Sequence, residues 1–547
     1  MTSPRTVPGS RPAPARGGHS RLARAAVSIA VLTVLARLLG FGRIVVFTHT
    51  VGTTTCLGTA YFTANTIPNI LFEVVAGGAL AGVVVPVLAG PLAAGDAEVG
   101  SRTASALLGW ALLLLTPVAV LAGLLAGPVV GLFLGSGSGG CDAAAVASLA
   151  ARMLVIFAPQ VVLYGIGIVL TGVLQAHRRF LGPALAPLLS SAVVIAAYFA
   201  YGASGPHSAD LAHLSRAREL VLSIGTTLGV VALSLSLLVP LRRTGLRLRP
   251  RLRFPPGVAA RVRALAAAGA AGLLAQQLSV AVVLRLANSA EPRGGIVLYN
   301  LAWTVFLLPW AVLAVPIATT AFPSLSARAA AGENREYAAT AAVTTRAVVL
   351  VMAAAAAALV AAALPAARML VLGTPGNPDP AELARALVAF APGLVGYGLL
   401  AHLGRALYAG NAGRAAGLAT VTGWLTVVVA DVALVAALPR GWAVAALGAG
   451  NSVGMTVAAL LMTRALHRRT AGGGVTGVGR TGAVAGIAAV LAAAAGRGLA
   501  TLLPSGRPLT AALSALVVAA LAVTAFAFVT RLGNPADLQA LRALARG

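Results

Sequence analysis

Two arginines interrupt the first apolar stretch of the sequence, "TVLARLLGFGRIVVFTHT" at residues 33–50. In a helix that begins at residue 25, Arg37 would lie about 20 Å along the axis, and Arg43 about 9 Å further on. A charged side chain near the centre of a membrane-spanning helix costs about 2.5–3.5 kcal/mol. Because the planar guanidinium group binds phosphate through two parallel hydrogen bonds, these arginines are candidate ligands for an anion.

Polar residues recur at every fourth position of the second apolar stretch, as Asn65, Asn69 and Glu73. That spacing puts them on one face of a helix, and polar faces at membrane depth are tolerated against protein or a water-filled cavity. Two interpretations are open. The arginines either pair with Glu73 and fix the packing, or they face a cavity and attract an anion whose head group bonds to the two amides.

Arg285 is a further candidate anion ligand, although it lies near the end of its span, where a long side chain can reach the interface. We find no cysteine–histidine cluster with metal-ligand spacing, no Walker loop and no convincing hydrolase constellation. We therefore expect no metal, no cofactor and no enzymatic bond breaking.

The composition that must position these residues is that of a polytopic membrane protein. Of 547 residues, 59% are hydrophobic and 10% are charged, whereas a soluble domain has about 25% charged residues. Apolar runs long enough to cross a hydrocarbon core of about 30 Å recur along the chain. A β-barrel would instead show alternating segments of about ten residues. The sequence therefore predicts an all-α membrane fold.

We predict fourteen transmembrane helices in two six-helix lobes followed by two C-terminal helices. The first lobe covers residues 25–241 and the second covers 262–466, with an arginine-rich linker at 242–261. The last two helices lie within 467–531. The predicted spans are 25–51, 59–90, 104–134, 146–175, 181–203, 219–241, 262–288, 296–323, 340–372, 382–410, 414–438, 441–466, 476–502 and 508–531.

The arginines indicate the orientation of these helices. The net charge is +27 and lysine does not occur. Loops such as 52–58 and 373–381 contain no arginine, whereas residues 242–263 contain eight. Arginine thus alternates with loop number, as the positive-inside rule requires, and both termini are expected in the cytoplasm. This pattern explains the charge better than nucleic-acid binding does.

Both termini are expected to contact the inner membrane surface. Residues 1–24 are rich in proline, arginine, glycine and serine, which predicts a disordered basic arm attracted to anionic lipids. The segment 532–547 has leucines at helical spacing after Asn534 and Pro535, which predicts an amphipathic surface helix.

The two cysteines, Cys56 and Cys141, fall in the first and second outer loops of this topology. The outer face is the compartment in which a disulfide persists. A bridge would close a loop of about 85 residues and stabilise the fold by about 4 kcal/mol. It requires Cα atoms within about 7 Å, and the alternative is two unrelated thiols.

The two lobes have weakly similar sequences. Residues 60–88 can be aligned with 298–325, so that Tyr61 meets Tyr299 and, after a one-residue gap, Pro86 meets Pro323. Parallel repeats of this kind are typical of transporter folds.

Four segments carry a resemblance to a known family. "ARLLGFGR" (36–43), "PNILFEVVAGGAL" (68–80), "VVPVL" (84–88) and "TTAFPSLS" (319–326) resemble the MurJ (MviN) family, the lipid II flippases of bacterial peptidoglycan synthesis. The resemblance implies the multidrug/oligosaccharidyl-lipid/polysaccharide exporter fold and alternating access. It also implies that the last two helices help to form a groove for a polyprenyl tail.

The resemblance transfers two functional positions and lacks four others. The family's two first-helix arginines match Arg37 and Arg43. Where the family has an acid after the second arginine, an aspartate early in the second helix, a base after "PN" and an arginine in the eighth helix, this sequence has, in that order, Ile44, Thr59, Glu73 and Thr304. The chain is then either a divergent flippase, with Arg285 compensating, or a relative with another lipid-linked cargo.

The expected function is translocation of lipid II or a related polyprenyl diphosphate lipid across a bacterial plasma membrane. Arg37 and Arg43 would recruit the diphosphate, and Glu73 would reset them when the cargo leaves. The alternatives are a cation-coupled drug exporter, an exporter of another polyprenyl-linked saccharide, and a scaffold without transport activity. Expected partners are the lipid cargo, anionic membrane lipids and cell-wall synthesis proteins, with no nucleic acid.

Overall fold

The computed structural model describes residues 16–77, 80, 82–135, 140–205, 211, 214–246, 248–291 and 293–546. Helix is the regular structure throughout these ranges. The predicted basic arm lies outside them up to residue 15. Helix α1 already begins at Arg16, so residues 16–24 are helical where the sequence predicted a disordered arm.

The described residues of the first lobe form ten α-helices and one π-helix. The α-helices are α1 (Arg16–Thr50), α2 (Cys56–Phe72), α3 (Val84–Ala93), α4 (Ala97–Leu124), α5 (Ala126–Phe133), α6 (Ala143–Phe157), α7 (Gln160–Ala176), α8 (Leu181–Ala203), α9 (Arg216–Leu235) and α10 (Leu238–Arg242). Caps fix several of these starts. The Asp142 carboxylate, for example, accepts a hydrogen bond of 2.9 Å from the Ala144 N–H at the start of α6.

The second lobe and the C-terminal helices complete the bundle. They are α11 (Val258–Ala290), α12 (Gly295–Pro309), α13 (Val315–Ala330), α14 (Asn334–Val371), α15 (Pro380–Phe390), α16 (Gly393–Ala409), α17 (Gly413–Ala437), α18 (Ala443–Arg469), α19 (Val478–Leu502), α20 (Pro508–Gly533) and α21 (Pro535–Arg546). Helix α11 begins at Val258, four residues before the predicted start of the second lobe at 262, so the linker is shorter than expected.

Twelve helical stretches in the described ranges are long and apolar enough to cross a membrane. Helices α15 and α16 meet at a bend of 42° and count as a thirteenth span if taken together. The remaining predicted span, 59–90, corresponds to α2, the π-helix that follows it and α3. The described residues therefore supply twelve or thirteen candidate spans, where the sequence predicted about fourteen.

A π-helix interrupts the corresponding helix of each lobe. One follows α2 at Glu73–Gly77, and the other follows α12 at Trp310–Ala314. In the alignment that pairs Tyr61 with Tyr299, these two π-helices coincide within one residue. Because π-helices are rare and concentrate at functional sites, a shared one supports the internal repeat.

The lobes touch at the end of the bundle that carries the Cys56–Cys141 disulfide, which we call the disulfide end. The Thr53 and Thr374 hydroxyl oxygens are 2.7 Å apart, and the Thr54 hydroxyl donates to the Gly376 carbonyl at 2.7 Å. The Gly294 N–H donates to the Thr59 hydroxyl at 2.8 Å. Because these bonds join residues of both lobes, the bundle is closed at this end.

Asn288, at the last turn of α11, adds a buried contact between the lobes. Its side-chain amide donates to the Thr63 hydroxyl at 2.9 Å and to the Phe133 carbonyl at 3.0 Å. Gly294 is also tightly enclosed, since a Cβ there would collide with the Thr53 carbonyl, and its φ is +85°. The closed end is thus a tightly packed interface. At position 294 only glycine fits.

The linker lies along α4 at the opposite end, which we call the linker end. The Arg251 N–H donates to the Ser105 carbonyl at 3.1 Å, and the Trp110 indole N–H donates to the Leu252 carbonyl at 2.9 Å. A Cβ on Gly109 would collide with the Arg251 carbonyl. The linker is therefore attached to the first lobe along its length.

The C-terminal helices pack against the second lobe. Helices α19 and α20 contact α14 and each other. Asp537 of α21 pairs with Arg346 of α14, with Oδ1 and Nε 2.9 Å apart, and its other carboxylate oxygen accepts from Asn534 at 2.6 Å. The C-terminal helix predicted within 532–547 is therefore held to the bundle by a largely buried ion pair.

Candidate functional site

Helix α1 runs along the seam between the lobes. Ile44 packs into an apolar core formed mainly by the second lobe, whereas Phe47 packs into a core formed mainly by the first. At 1.5 Å per residue, Arg43 lies about 10 Å and Arg37 about 20 Å from the end of α1 at Thr50. Both side chains are exposed in the bundle. The seam helix thus carries two exposed charges about 9 Å apart along its axis.

The charge of Arg43 acts on the first lobe. Its positive charge interacts electrostatically with the hydroxyl groups of Tyr61, Tyr164 and Tyr198. The Tyr61 hydroxyl is 2.7 Å from both the Tyr198 hydroxyl and the Thr226 hydroxyl. This buried hydroxyl network gives the surroundings of Arg43 a polar side within an otherwise apolar lobe.

The charge of Arg37 interacts electrostatically with the second lobe instead, at the Tyr397 hydroxyl group. The Tyr397 ring contacts Trp303, Phe306 and Trp310 at centroid distances of 5.9, 5.7 and 5.1 Å. This aromatic cluster was not identified from the sequence. Its members come from α12, the following π-helix and α16, so only the fold brings them together.

The arginines are not neutralised by the acid that the sequence offered as a partner. Within the described ranges, no carboxylate forms an ion pair with Arg37 or Arg43. Glu73 lies in the π-helix, and a Cβ on Gly77 would collide with its carboxylate. The Glu73 side chain therefore folds back over its own helix, and the arrangement does not support the structural pairing.

The amides of the polar ladder also point away from the packed core. Asn65 is half-buried and Asn69 is exposed. Neither side chain hydrogen bonds to another described residue. From Cys56, at the start of α2, Asn65 lies about 14 Å and Asn69 about 20 Å along the axis. Asn69 therefore lies at the depth of Arg37, and Asn65 lies close to the depth of Arg43.

Arg285 lies apart from this group. It is exposed, bonds to the Ser289 hydroxyl one turn further along α11, and lies about 8 Å from the end of that helix at Ala290. Glu73 lies about 26 Å from the same end of the bundle. The structure thus does not bring Arg285 to Glu73.

The two cysteines are joined. The Cys56 and Cys141 sulfurs are bonded, and their Cα atoms are 5.7 Å apart, inside the range that a disulfide requires. The bridge ties the start of α2 to the loop before α6, next to the loops that close the bundle.

Two acidic residues near the seam or the closed end, Asp431 and Glu291, were not predicted from the sequence. Asp431 of α17 is fully buried, and neither of its carboxylate oxygens has a hydrogen-bond partner among the described residues. Burial raises the pKa of Glu291, the residue after α11. The positive charges of Arg440 and Arg385 lower this pKa, but by less than burial raises it. A lone acid in the apolar run "VVVADVALV" was the available signal for Asp431.

Solved structures of membrane transporters share this fold. The chain superimposes on a lipid II flippase MurJ in an inward closed conformation, with a TM-score of 0.71 and 16% identity, covering 92% of this chain and 99% of that one. An inward-facing multidrug resistance transporter of the MATE family gives a TM-score of 0.63 at 15% identity, over 82% and 99%.

A transporter from Pyrococcus furiosus, described as having a binding pocket of reversed polarity, gives a TM-score of 0.59 at 15% identity, over 82% of this chain and 95% of that one. The latter two structures are described as members of the MOP superfamily. The chain therefore shares the two-lobed helical fold of these solved structures.

The family follows from the sequence match. The model of the lipid II flippase MurJ family matches residues 47–521, and the chain belongs to that family. A probable lipid II flippase MurJ from Buchnera aphidicola is 24% identical over 174 residues, which is 32% of this chain. The match covers only 33% of that relative's own length.

Proposed function

We propose that the protein moves lipid II from the inner to the outer leaflet of a bacterial plasma membrane. The observation that carries the proposal is the pair of exposed arginines on the seam helix, neither of which is paired with a described carboxylate. A diphosphate between the lobes would supply the missing negative charge, because guanidinium groups bind phosphate oxygens bidentately. Membership of the MurJ family supports lipid II as the source of that diphosphate.

The neighbouring polar groups extend this proposed site. Asn65 and Asn69, at the depths of the two arginines, would donate to and accept from the saccharide or peptide of the head group. When the cargo leaves, the Glu73 carboxylate would rotate from Gly77 toward the arginines and compete for them. The polyprenyl tail would remain in lipid throughout, so no bond is broken.

Alternating access would follow from rearrangement of the two lobes. The bonds at the disulfide end, among them Thr53–Thr374 and Gly294–Thr59, hold that end closed. Breaking them while the linker end closes would expose the seam to the other side of the membrane. We assign the disulfide end to the outer face, with both termini in the cytoplasm.

The orientation is tested with single cysteines in a chain whose native cysteines are replaced by alanine. Gly506, in the loop before α20, has open space around its Cβ position, and Ala331 is exposed in the loop after α13. An impermeant thiol reagent should label Gly506→Cys in intact cells and Ala331→Cys only after lysis. The opposite labelling pattern would reverse the orientation.

A flipping assay tests the function itself. Purified protein in proteoliposomes should translocate lipid II, and a polyprenyl diphosphate carrying a saccharide unrelated to peptidoglycan should be compared side by side. Faster movement of the unrelated lipid would replace lipid II with another lipid-linked cargo. Equal outer-leaflet lipid II with and without the protein would reject the flippase proposal.

Asp431 favours one alternative, a cation-coupled exporter of the same fold. A buried carboxylate without a hydrogen-bond partner is costly, and intramembrane acids commonly serve ion or proton coupling. An exporter of this kind would move a cationic drug against its gradient in vesicles and would not move lipid II.

A further inference from the structure

Three arginines line a second site, away from the seam. A cavity of about 740 Å³ opens in the second lobe at the disulfide end, between α14, α15, α18 and α19. Arg368, Arg385 and Arg497 lie on its wall among alanine, valine and leucine side chains. From the ends of their helices at this face, they lie about 5–8 Å deep, which is the depth of lipid head groups.

The orientation of the protein does not explain these arginines. The loops at the disulfide end that fixed the topology, 52–58 and 373–381, contain no arginine, in agreement with the positive-inside rule. Arg368, Arg385 and Arg497 oppose that pattern, since they concentrate positive charge at the same end but within helices. A local partner of negative charge is the simplest physical reason for such a concentration.

Internal contacts leave the three charges without a full counter-ion. Arg368 donates to the Ser505 hydroxyl. Arg385 donates to the Gly441 carbonyl at 2.9 Å and lies 5.0 Å from the centre of the Trp442 ring. Glu382 and Glu291 interact electrostatically with Arg385, but none of the three arginines forms an ion pair within the described ranges. The cavity wall therefore carries net positive charge.

An apolar groove continues from this cavity toward the middle of the bundle. A second cavity of about 540 Å³ shares Val360 and Arg497 with the first and is lined mainly by alanine, glycine and valine. Between Gly482 and Arg497 it follows α19 for about 22 Å. One leaflet of hydrocarbon is about 15 Å thick, so the groove is long enough for an acyl chain.

We propose that this site holds an anionic phospholipid of the bilayer, with its phosphate at the three arginines and one acyl chain in the groove. Charge complementarity selects an anionic lipid over a zwitterionic one. The described residues that line the two cavities belong to the second lobe or to α19 and its C-cap, so this site is separate from the proposed head-group site at the seam. The proposal stands independently of the transported substrate.

The head-group contact is tested by native mass spectrometry of the full-length protein titrated with phosphatidylglycerol or phosphatidylcholine. Wild type should retain phosphatidylglycerol selectively. Because an arginine at an anionic lipid surface contributes about fivefold in binding, the triple variant R368Q/R385Q/R497Q should bind it about a hundredfold more weakly. Arg480→Gln, an exposed arginine at the other end of α19, is the matched control and should behave as wild type.

The groove is tested separately, without altering charge. Gly486 lines the groove and has open space around its Cβ position, so Gly486→Leu should fold and exclude the acyl chain. Gly479 on the same helix is equally open and does not line the groove, and Gly479→Leu is its control. Equal retention of the two lipids by wild type, or retention of phosphatidylglycerol by both the triple variant and Gly486→Leu, would overturn the proposal. Displacement by a polyprenyl diphosphate at equal concentration would reassign the groove to cargo, whatever the flipping assay shows.

Discussion

In the proposed site, Arg37 and Arg43 would hold the anion from two depths of α1, about 9 Å apart along its axis. Replacing either arginine by alanine removes one charge-assisted contact worth about 1.5–3 kcal/mol. We therefore expect Arg37→Ala and Arg43→Ala each to reduce lipid II flipping at least about tenfold, with membrane abundance close to wild type.

Arg464→Ala, which removes an exposed arginine near the C-terminal end of α18, provides the control for lost positive charge. It should leave flipping unchanged. If both seam variants instead fail to accumulate as folded protein while Arg464→Ala is normal, the seam arginines have a structural role and the anion site is wrong.

Glu291 makes the stability of the closed end depend on pH. Burial raises the pKa of Glu291 above the ordinary value of 4.5. At pH values between 4.5 and this raised pKa, the folded protein binds more protons than the unfolded chain does. Stability therefore falls as pH rises through this window. Glu291→Gln should raise the thermal unfolding midpoint at neutral pH and have little effect below pH 4.

The exposed Glu98, whose side chain is 78% accessible, gives a matched comparison. Glu98→Gln should leave the same pH profile of the unfolding midpoint unchanged. An unfolding midpoint of Glu291→Gln that runs parallel to wild type from pH 4 to pH 8 would show that burial of this carboxylate does not influence the closed end.

Among the elements, the π-helix after α2 positions the acid of the proposed site. A Cβ on Gly77 would collide with the Glu73 carboxylate, so Gly77→Ala must displace it. We expect Gly77→Ala to reduce flipping to the level of Glu73→Gln, and the double variant to be no worse than either. Such a cycle would give a coupling free energy within about 0.5–3 kcal/mol.

Gly90→Ala is the control for adding a methyl group to a helical glycine, because the space around its Cβ position is open. It should transport as wild type does. Additive losses in the Gly77→Ala, Glu73→Gln pair would mean that the glycine acts on the helix and not on the acid.

The elements differ in how far sequence predicted them. Long spans were predictable because each helix in lipid must satisfy its own backbone hydrogen bonds and therefore leaves a continuous apolar run. The π-helix at Glu73–Gly77 was not, since it has no distinctive composition and changes the face on which the ladder ends. Helix α1 extends to Arg16 although residues 16–24 include Gly17 and Gly18, which disfavour helix, and were predicted from composition to belong to the disordered arm.

The functional residues were predictable in type but not in arrangement. Arg37 and Arg43 were conspicuous because charge is rare in a span. Whether they pair with Glu73 depends on tertiary contacts between α1 and α2, and sequence spacing alone left both interpretations open. Tyr397 and its aromatic neighbours come from separate helices of the second lobe, so no local pattern links them to Arg37.

For the whole molecule, closure of the disulfide end should be a step of the transport cycle. Thr53 and Thr374 face each other there with hydroxyl oxygens 2.7 Å apart. In a chain with Cys56→Ala and Cys141→Ala, we expect Thr53→Cys with Thr374→Cys to form a cross-link that stops flipping in proteoliposomes. Reductant should restore transport, which separates trapping from misfolding.

Each single cysteine variant in the same background controls for loss of the threonine hydroxyl and should remain active after oxidation. Flipping by the fully cross-linked protein at the rate of its reduced form would exclude opening of this end as a requirement for transport.

The attachment of the linker to α4 sets a mechanical limit on how far the lobes can separate. The chain is held at Leu252 by Trp110 and enters α11 at Val258. The residues between Leu252 and Val258 form a short connection, which spans about 20 Å when fully extended. Any opening at the linker end is bounded by that tether, so the width of the entrance is set by chain length as well as by the shape of the lobes.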